Sequence, residues 1–212
     1  MRNLLNTFVL FMLALVLVGC GGGAAKIADE AVKQPLPVLP VEPAHLTPEQ
    51  QMVKEALEKN GYGRRGPDPT ILLVQKELRC LTVYKGLTPL KTYPVVLGRN
   101  PVADKVRQGD LCTPEGVYHV VTKFDHPRWS KFILLDYPNT RNWLKFAEAK
   151  RLGKIPYDAD IGGQVGIHGT DDPYKNLVGE NWTWGCVSLL NRDIEEIYPL
   201  VNDKTLIIIT RK

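Results

Sequence analysis

The sequence predicts a mainly β fold, a β-sandwich with a few short helices at its periphery. In the last two thirds of the chain, apolar residues fall in short runs that are rich in β-branched and aromatic side chains. Glycine and proline interrupt these runs at close intervals, which is typical of hairpins in a mainly antiparallel sheet. Helical periodicity is confined to short segments, so helices are expected only around the sheet.

Length and composition leave room for one domain with extensions. The chain has 212 residues, of which 44% are hydrophobic and 24% are charged, as in ordinary globular proteins. The formal net charge is only +4 and the basic residues are scattered, so no nucleic-acid partner is expected. No C-x-x-C pair is present. We therefore expect neither a metal site nor a cofactor.

The first segment, residues 1–19, predicts a lipoprotein signal peptide. Arg2 precedes an apolar run of about eleven residues, which is the length of a signal-peptide core and too short to span a bilayer. The run ends in Leu17-Val18-Gly19-Cys20, which resembles the bacterial lipobox. Lipidation of Cys20 would anchor the protein to the cell envelope. Gly21 in place of aspartate resembles the sorting pattern for the outer membrane, facing the periplasm. The alternative is simple secretion.

Residues 20–46 and 47–68 are expected to be a proline-rich tether and a helical lead-in. Prolines at alternate positions between Gln34 and Pro43 favour an extended spacer. Thr47-Pro48-Glu49-Gln50 then has the features of a helix start, and Gly61 marks the helix end. The apolar residues of this helix form one narrow stripe. That stripe favours packing on the following domain over binding to a membrane surface or a partner.

From residue 69 onward, strands predominate. We expect strands at residues 71–74, 79–84, 91–97, 116–121, 132–135, 163–167 and 206–210. A helix is expected over 142–152, with Trp143 and Phe146 facing inward. A second helix is expected to begin at a capping Asn191 and to be stopped by Pro199.

Two residues near the C-terminus form the strongest candidate site. His168 and Cys186 are eighteen residues apart, and Gly185 directly precedes the cysteine. A thiol needs a neighbouring base to react at neutral pH, and imidazole is the usual one. A glycine before the nucleophile lets backbone N–H groups approach a reacting carbonyl. A metal site would need a third ligand, which no spacing indicates.

These residues resemble the YkuD-type family of L,D-transpeptidase catalytic domains. That family carries a histidine, a spacer, and then Ser/Thr-x-Gly-Cys, which Thr183, Gly185 and Cys186 match here. Further resemblance lies upstream and around the histidine: residues 97–101, Lys105, Gly109-Asp110, residues 113–118, Tyr137-Pro138-Asn139 and Ile167-His168-Gly169. On this resemblance we assign residues 69–212 to the catalytic domain.

The resemblance implies a cysteine-dependent acyltransferase that acts on peptidoglycan stem peptides. Cys186 would be the nucleophile, His168 the base, and the backbone carbonyl of Gly169 would hold the imidazole. The N–H groups of Gly185 and Cys186 would bind the oxyanion. The enzyme would release D-alanine from a tetrapeptide stem and pass the acyl group to an amine, either of a second stem in a 3–3 cross-link or of a protein.

Three more residues beside the nucleophile are expected to contact substrate: Thr183, Trp184 and Ser188. Ser188 stands where many members of the family have arginine, and a serine cannot replace the bidentate grip of a guanidinium on a carboxylate. Trp182 and Trp184 either wall the cleft or anchor the loop.

Two alternative functions and one question of covalent structure stay open. The same residues with water as acceptor would give an L,D-carboxypeptidase or amidase. A lipoprotein that binds the cell wall without catalysis is a different class of function, although such a module has no need for a His/Cys pair. Cys80 and Cys112 either pair as a disulfide or pack as thiols, and the alternating pattern around Cys80 favours a packed thiol.

Overall fold

The computed structural model describes residues 45–62 and 68–212. The predicted signal peptide, the Cys20 anchor and nearly all of the predicted tether lie outside the described residues. Within the described ranges, no helix has both the length and the apolarity needed to cross a bilayer.

Eight strands and a few short helices make up the described part of the chain. The strands are β1 (Thr70–Gln75), β2 (Cys80–Lys85), β3 (Thr88–Pro94), β4 (Gly116–His126), β5 (Ser130–Leu135), β6 (Gly166–His168), β7 (Val187–Ser188) and β8 (Leu206–Thr210). The helices are α1 (Pro48–Lys59), α2 (Thr140–Arg151), α3 (Pro173–Leu177) and α4 (Asn191–Ile197), followed by a 3₁₀ turn at Tyr198–Leu200.

All eight strands join in one curled sheet, which confirms the predicted mainly β class. The strand order is β3-β2-β1-β8-β4-β5-β6-β7, and all neighbours are antiparallel except β1 with β8 and β6 with β7. The long strand β4 pairs with β8 through its first residues and with β5 through the rest. The register shifts between Val120 and Thr122. A bulge of this kind bends a strand, so β4 forms the corner at which the sheet curls.

The alternation of side chains along each strand separates two hydrophobic clusters. Leu72 and Val74 of β1 point into the main core inside the curl, together with Ile207 and Ile209 of β8. The residues between them face the opposite side, where they pack against Val53, Ala56 and Leu57 of α1. Strand β1 is therefore buried on both faces. The helix thus packs on the domain, as its apolar stripe indicates.

Local sequence signals predict α1 and β8 closely. Thr47 caps α1 through a complete capping box with Gln50, as predicted. Helix α4 differs from its prediction, because Leu190 occupies the capping position and makes no side-chain bond to the helix. The amide oxygen of Asn191 instead accepts the N–H of Thr170. The α-helix ends at Ile197, shortly before Pro199, as predicted, and Pro199 lies in the 3₁₀ turn that follows.

Three further expectations are corrected by the tertiary structure. Trp143 is half exposed, and it stands edge-on against the inward-facing Phe146 on the surface of α2. Strand β6 begins at Gly166 and not at residue 163, because Gln164 adopts φ of 57°, in the left-handed region that interrupts a strand. Strand β3 covers 88–94 and not 91–97, since it pairs with β2 across a tight hairpin. Cys80 and Cys112 are free thiols, as the pattern around Cys80 favours.

Candidate active site

His168 ends strand β6, and Cys186 directly precedes the neighbouring strand β7. Ile167 pairs with Val187, and His168 pairs with Ser188. Ile167 and Val187 are fully buried in the main core. Because side chains alternate, His168 and Cys186 both point away from that core, on the opposite side of the strand pair. Two short paired strands thus bring the chain segments that carry the histidine and the cysteine side by side at the sheet edge.

The largely buried Cys186 thiol lies beside the start of β6. Its sulfur is 3.4 Å from the backbone N–H of Gly166 and 3.7 Å from the carbonyl of Gln164. A side chain at Gly166 would overlap the Phe132 ring. Among the described residues, no direct hydrogen bond joins the thiol to His168. Catalytic hydrogen bonds are often long in free enzymes and shorten when substrate binds, so the lack of this bond does not exclude proton transfer.

Buried aromatic rings surround the His168 imidazole. Its Nδ1 is 2.7 Å from the carbonyl oxygen of Gly169. A carbonyl only accepts hydrogen bonds, so the proton of the neutral ring is on Nδ1 and Nε2 keeps its lone pair. The ring stacks on Trp129 at 4.2 Å and on Phe132 at 5.5 Å between centroids. Burial lowers the pKa of His168 to about 4, although the bond to Gly169 partly opposes this shift. The imidazole is therefore a neutral base at pH 7.

The cysteine is neutral as well. Burial raises the pKa of the Cys186 thiol to about 11, while the Gly166 N–H and the Lys105 charge act in the opposite direction. A thiol and an imidazole with these pKa values do not form a resting thiolate–imidazolium pair. Proton transfer from Cys186 must then accompany attack on a substrate.

Thr183 closes the turn that presents the cysteine. Its hydroxyl donates to the Cys186 carbonyl at 2.7 Å and accepts the Gly185 N–H at 3.1 Å. Gly185 has φ of 138°, and a Cβ there would be 2.7 Å from the Cys112 carbonyl oxygen. Thr183 is buried and its hydroxyl bonds within the turn, so its predicted contact with substrate stays a prediction. The Gly185 N–H is already engaged. Within residues 68–212, the Cys186 N–H has no acceptor and stays available for an oxyanion.

The other two predicted substrate contacts differ from each other. Trp184 is 75% exposed, so its ring is open to a ligand. Ser188 is fully buried, and its hydroxyl donates to the Gly169 carbonyl at 2.9 Å. The hydroxyl of this buried serine is thus engaged by the Gly169 carbonyl, and its predicted contact with substrate stays a prediction. Trp182 anchors its loop by donating from Nε1 to the Asn176 amide oxygen at 3.0 Å, and its ring meets His168 edge-on.

A buried ion pair lies behind the nucleophile turn. Lys105 Nζ is 2.8 Å from Asp110 Oδ1, and it also donates to the Arg107 carbonyl. Asp110 accepts three backbone N–H groups besides, which with Lys105 lower the pKa of its carboxyl against the opposing effect of burial. Nζ lies 3.7 Å from the point where a Cβ of Gly185 would stand. The sequence places both charged residues in a block that resembles the family, but it does not indicate that they pair behind the cysteine.

Sequence patterns did not identify the aromatic walls of the site. Trp129 and Phe132 lie on either side of the turn into β5, where composition indicates only a hairpin. Asn176 contacts Ser188, and Asn191 contacts Thr170. The local sequence indicates only that these asparagines lie near helix ends, and it does not indicate these contacts. Within residues 45–62 and 68–212, no three His, Cys, Asp or Glu side chains lie together in a way that could hold a metal ion.

Comparison with known sequences identifies the domain. The family model of the YkuD L,D-transpeptidase catalytic domain matches residues 69–209. The protein named "Putative L,D-transpeptidase YkuD" of Bacillus licheniformis is 28% identical over 150 residues, which are 70% of this chain and 71% of that protein. "Putative L,D-transpeptidase YafK" of Escherichia coli K12 is 27% identical over 139 residues, 63% of this chain and 47% of that protein.

Solved structures share the fold. The helical cell shape determining protein Pgp2 of Campylobacter jejuni superposes with a TM-score of 0.50 at 22% identity, over 77% of this chain and 56% of that one. A point variant of Pgp2 gives a TM-score of 0.52 over 78% and 57%. The chain therefore spans little more than half of these structures and about half of YafK. Since the family model covers more than half of the sequence, the chain belongs to the YkuD family of L,D-transpeptidase catalytic domains.

Proposed function

We propose that this protein is a peptidoglycan L,D-transpeptidase that uses Cys186 as nucleophile and His168 as base. The observation that supports the proposal is the pairing of β6, which ends at His168, with β7, which directly follows Cys186, together with the contact of the Cys186 sulfur with Gly166 at the start of β6. The imidazole has its proton on Nδ1, toward Gly169, and the thiol is partly exposed. The family supplies the substrate class, a stem tetrapeptide of the cell wall.

In the first half-reaction, the acyl group moves from the stem to the enzyme. Cys186 Sγ attacks the carbonyl carbon of the third stem residue while His168 Nε2 takes the thiol proton. The Cys186 N–H is placed to donate to the resulting oxyanion. The tetrahedral intermediate collapses to a thioester, and the imidazolium returns its proton to the nitrogen of the departing D-alanine.

In the second half-reaction, an amine takes the acyl group. His168 accepts a proton from the amine as its nitrogen attacks the thioester carbon, and that proton then returns to the Cys186 sulfur as the thioester breaks. With the side-chain amine of a second stem as acceptor, the product is a 3–3 cross-link. The exposed Trp184 ring is proposed as a surface for the stem peptide. Water in place of the amine gives the carboxypeptidase reaction with the same residues.

Product analysis tests this proposal. Purified protein is incubated with a disaccharide-tetrapeptide, and the products are separated and weighed by mass spectrometry. We expect release of D-alanine together with a cross-linked dimer. Tripeptide without dimer would assign the protein as a carboxypeptidase. Absence of any D-alanine from a folded sample would contradict both enzymatic functions and favour the non-catalytic wall-binding lipoprotein.

We further propose that the protein is anchored in the envelope through a lipid on Cys20, at the outer membrane facing the periplasm. The proposal depends on the lipobox-like Leu17-Val18-Gly19-Cys20, because an acylated cysteine partitions into a bilayer. Cells fed a fatty-acid analogue should label the protein, and Cys20→Ala should remove the label. Cys80→Ala, a matched control, should keep it. Release of unlabelled wild-type protein into the soluble fraction would contradict anchoring.

A further inference from the structure

The peptide group between Gly169 and Thr170 is held at both of its polar ends. Its carbonyl oxygen lies 2.7 Å from His168 Nδ1 and 2.9 Å from Ser188 Oγ. Its N–H, that of Thr170, donates to Asn191 Oδ1 at 2.7 Å. Ser188 and Asn191 come from β7 and the first turn of α4, so two elements hold one peptide plane.

Gly169 itself explains why the neighbouring peptide group has to be held by other residues. A side chain at position 169 would overlap Asn191 Oδ1 and the Trp129 carbonyl, so the close packing around this position requires glycine. Glycine has more backbone freedom than any other residue, and a peptide group next to it can rotate at little cost. A rotated carbonyl would leave His168 Nδ1 without its acceptor. The packing that requires glycine at position 169 thus leaves the carbonyl that orients the imidazole free to rotate, unless other groups hold it.

The direction of the Ser188 hydroxyl is itself determined. Asn176 Nδ2 donates to Ser188 Oγ at 3.1 Å, so the serine proton has to point elsewhere, and the Gly169 carbonyl receives it. Trp182 Nε1 can only donate, and its bond to Asn176 Oδ1 fixes which end of that amide faces the serine. Each hydrogen bond in the series from Trp182 through Asn176 and Ser188 therefore donates toward the Gly169 carbonyl.

We propose that Ser188 and Asn191 are positioning residues that clamp the Gly169–Thr170 peptide group and thereby hold His168 in the tautomer with its proton on Nδ1. Only this tautomer presents a lone pair on Nε2 to the Cys186 thiol. When the clamp is loosened, the carbonyl rotates and the proton redistributes to Nε2. The fraction of enzyme that can accept the thiol proton then falls. This inference rests on the proposed function of His168 as the base.

The test combines a structural and a kinetic measurement on the purified full chain. Long-range ¹H–¹⁵N spectra of the imidazole distinguish the two tautomers without any turnover. The probe of the chemical step is a carbapenem, whose strained β-lactam carbonyl an activated Cys186 sulfur would attack to form a covalent adduct. The rate at which this adduct forms reports acylation. Ser188→Ala and Asn191→Ala should each make the Nε2–H tautomer detectable. Each should slow the saturated acylation rate by about 3- to 10-fold, the factor expected for one net hydrogen bond, and leave half-saturation by the drug unchanged.

Two further variants separate positioning from stability. Asn191→Asp keeps an acceptor oxygen for the Thr170 N–H, so it should restore both the Nδ1–H tautomer and the acylation rate. Thr82→Val removes a part-buried cross-strand hydroxyl bond, that between Thr82 and Thr92, far from the site in strand order. Like Ser188→Ala, this variant loses one hydroxyl hydrogen bond, but it should change neither the tautomer nor the acylation rate. Asn176→Ala frees the serine hydroxyl and should shift the tautomer in the same direction, which keeps the test usable if Ser188→Ala does not fold.

The outcomes are distinct for the clamp and for the enzyme. An unchanged tautomer in folded Ser188→Ala and Asn191→Ala would overturn the clamp, as would a wild-type imidazole with its proton on Nε2. Slower acylation in Asn191→Asp equal to that of Asn191→Ala would also overturn it. A wild-type protein that never forms the adduct would contradict the proposed function, while the tautomer spectra would still decide the clamp.

Discussion

Cys186→Ala should abolish both D-alanine release and carbapenem adduct formation while the protein stays folded. The thioester cannot form without the sulfur, and neither of the two other cysteines in the described part of the chain is expected to take its place. Cys80 is on β2, at the far half of the sheet from β7. Cys112 is buried, and desolvation by burial raises the pKa of its thiol. Loss of activity to the background rate is the expected result, measured by product release and by intact mass after incubation with the drug.

The matched control for this change is Cys80→Ala, which removes a half-buried thiol whose contact is a weak one to Gln75 Oε1 at 3.7 Å. We expect it to retain most activity and to form one adduct per molecule, located on Cys186 by peptide mapping. Wild-type activity in Cys186→Ala would refute the assignment of the nucleophile. An adduct on Cys112 in the wild-type protein would do the same.

His168→Ala should lower acylation by about 10²–10⁴-fold at pH 7, the usual loss when general acid–base assistance is removed. The pKa of the Cys186 thiol is raised to about 11, so without a base only about one molecule in 10⁴ is a thiolate at pH 7. The neutral imidazole removes the need for that rare species by taking the proton during attack. The rate constant for adduct formation, measured by stopped-flow absorbance of the carbapenem, gives this ratio.

The pH dependence of the same rate separates the two routes. With a His168 pKa of about 4, the base form is present above that pH and is lost as the pH falls through it. Wild-type acylation should therefore be flat from about pH 5 to about pH 9 and decline below that range. In His168→Ala the rate should instead rise about tenfold per pH unit, since it follows the thiolate fraction.

The control for this experiment is His45→Ala, which changes an exposed histidine before α1. Its profile should overlay that of the wild type. A wild-type rate that climbs with pH as steeply as that of His168→Ala would show that the thiolate reacts directly, and His168 would then not be the base.

The neutral resting pair follows from where the residues lie in the fold. His168 is the last residue of β6 and stacks on aromatic rings, and such apolar surroundings disfavour the charged imidazolium. The positive charge of Lys105, behind the turn, lowers the pKa of Cys186, but the ion pair with Asp110 offsets much of this effect. A site built in this way protects its thiol from unselective reaction, because a thiol is far less nucleophilic than a thiolate.

The amino-acid sequence by itself determined the elements whose signals are local. The capping box at Thr47 and Gln50 lies within four residues, and the β-branched run at 206–210 needs only its own composition. The spacing of His168 and Cys186, with Gly185 between them, indicated a thiol and a base in one site. The family match supports that class of enzyme, and the roles of the individual residues stay predictions until they are tested.

The tertiary structure decided which groups face the cleft. From the sequence, Ser188 and Thr183 are expected to contact substrate beside the nucleophile. In the structure both are buried, and their hydroxyls bond to Gly169 and within the turn. The contacts of Trp129, Asn176 and Asn191 come from separate elements that the curled sheet brings together. Hydrophobic periodicity tells which face of a strand is buried, because burial repeats with the backbone. A hydrogen bond depends on the position of one distant partner atom, and no local pattern of residues encodes that position.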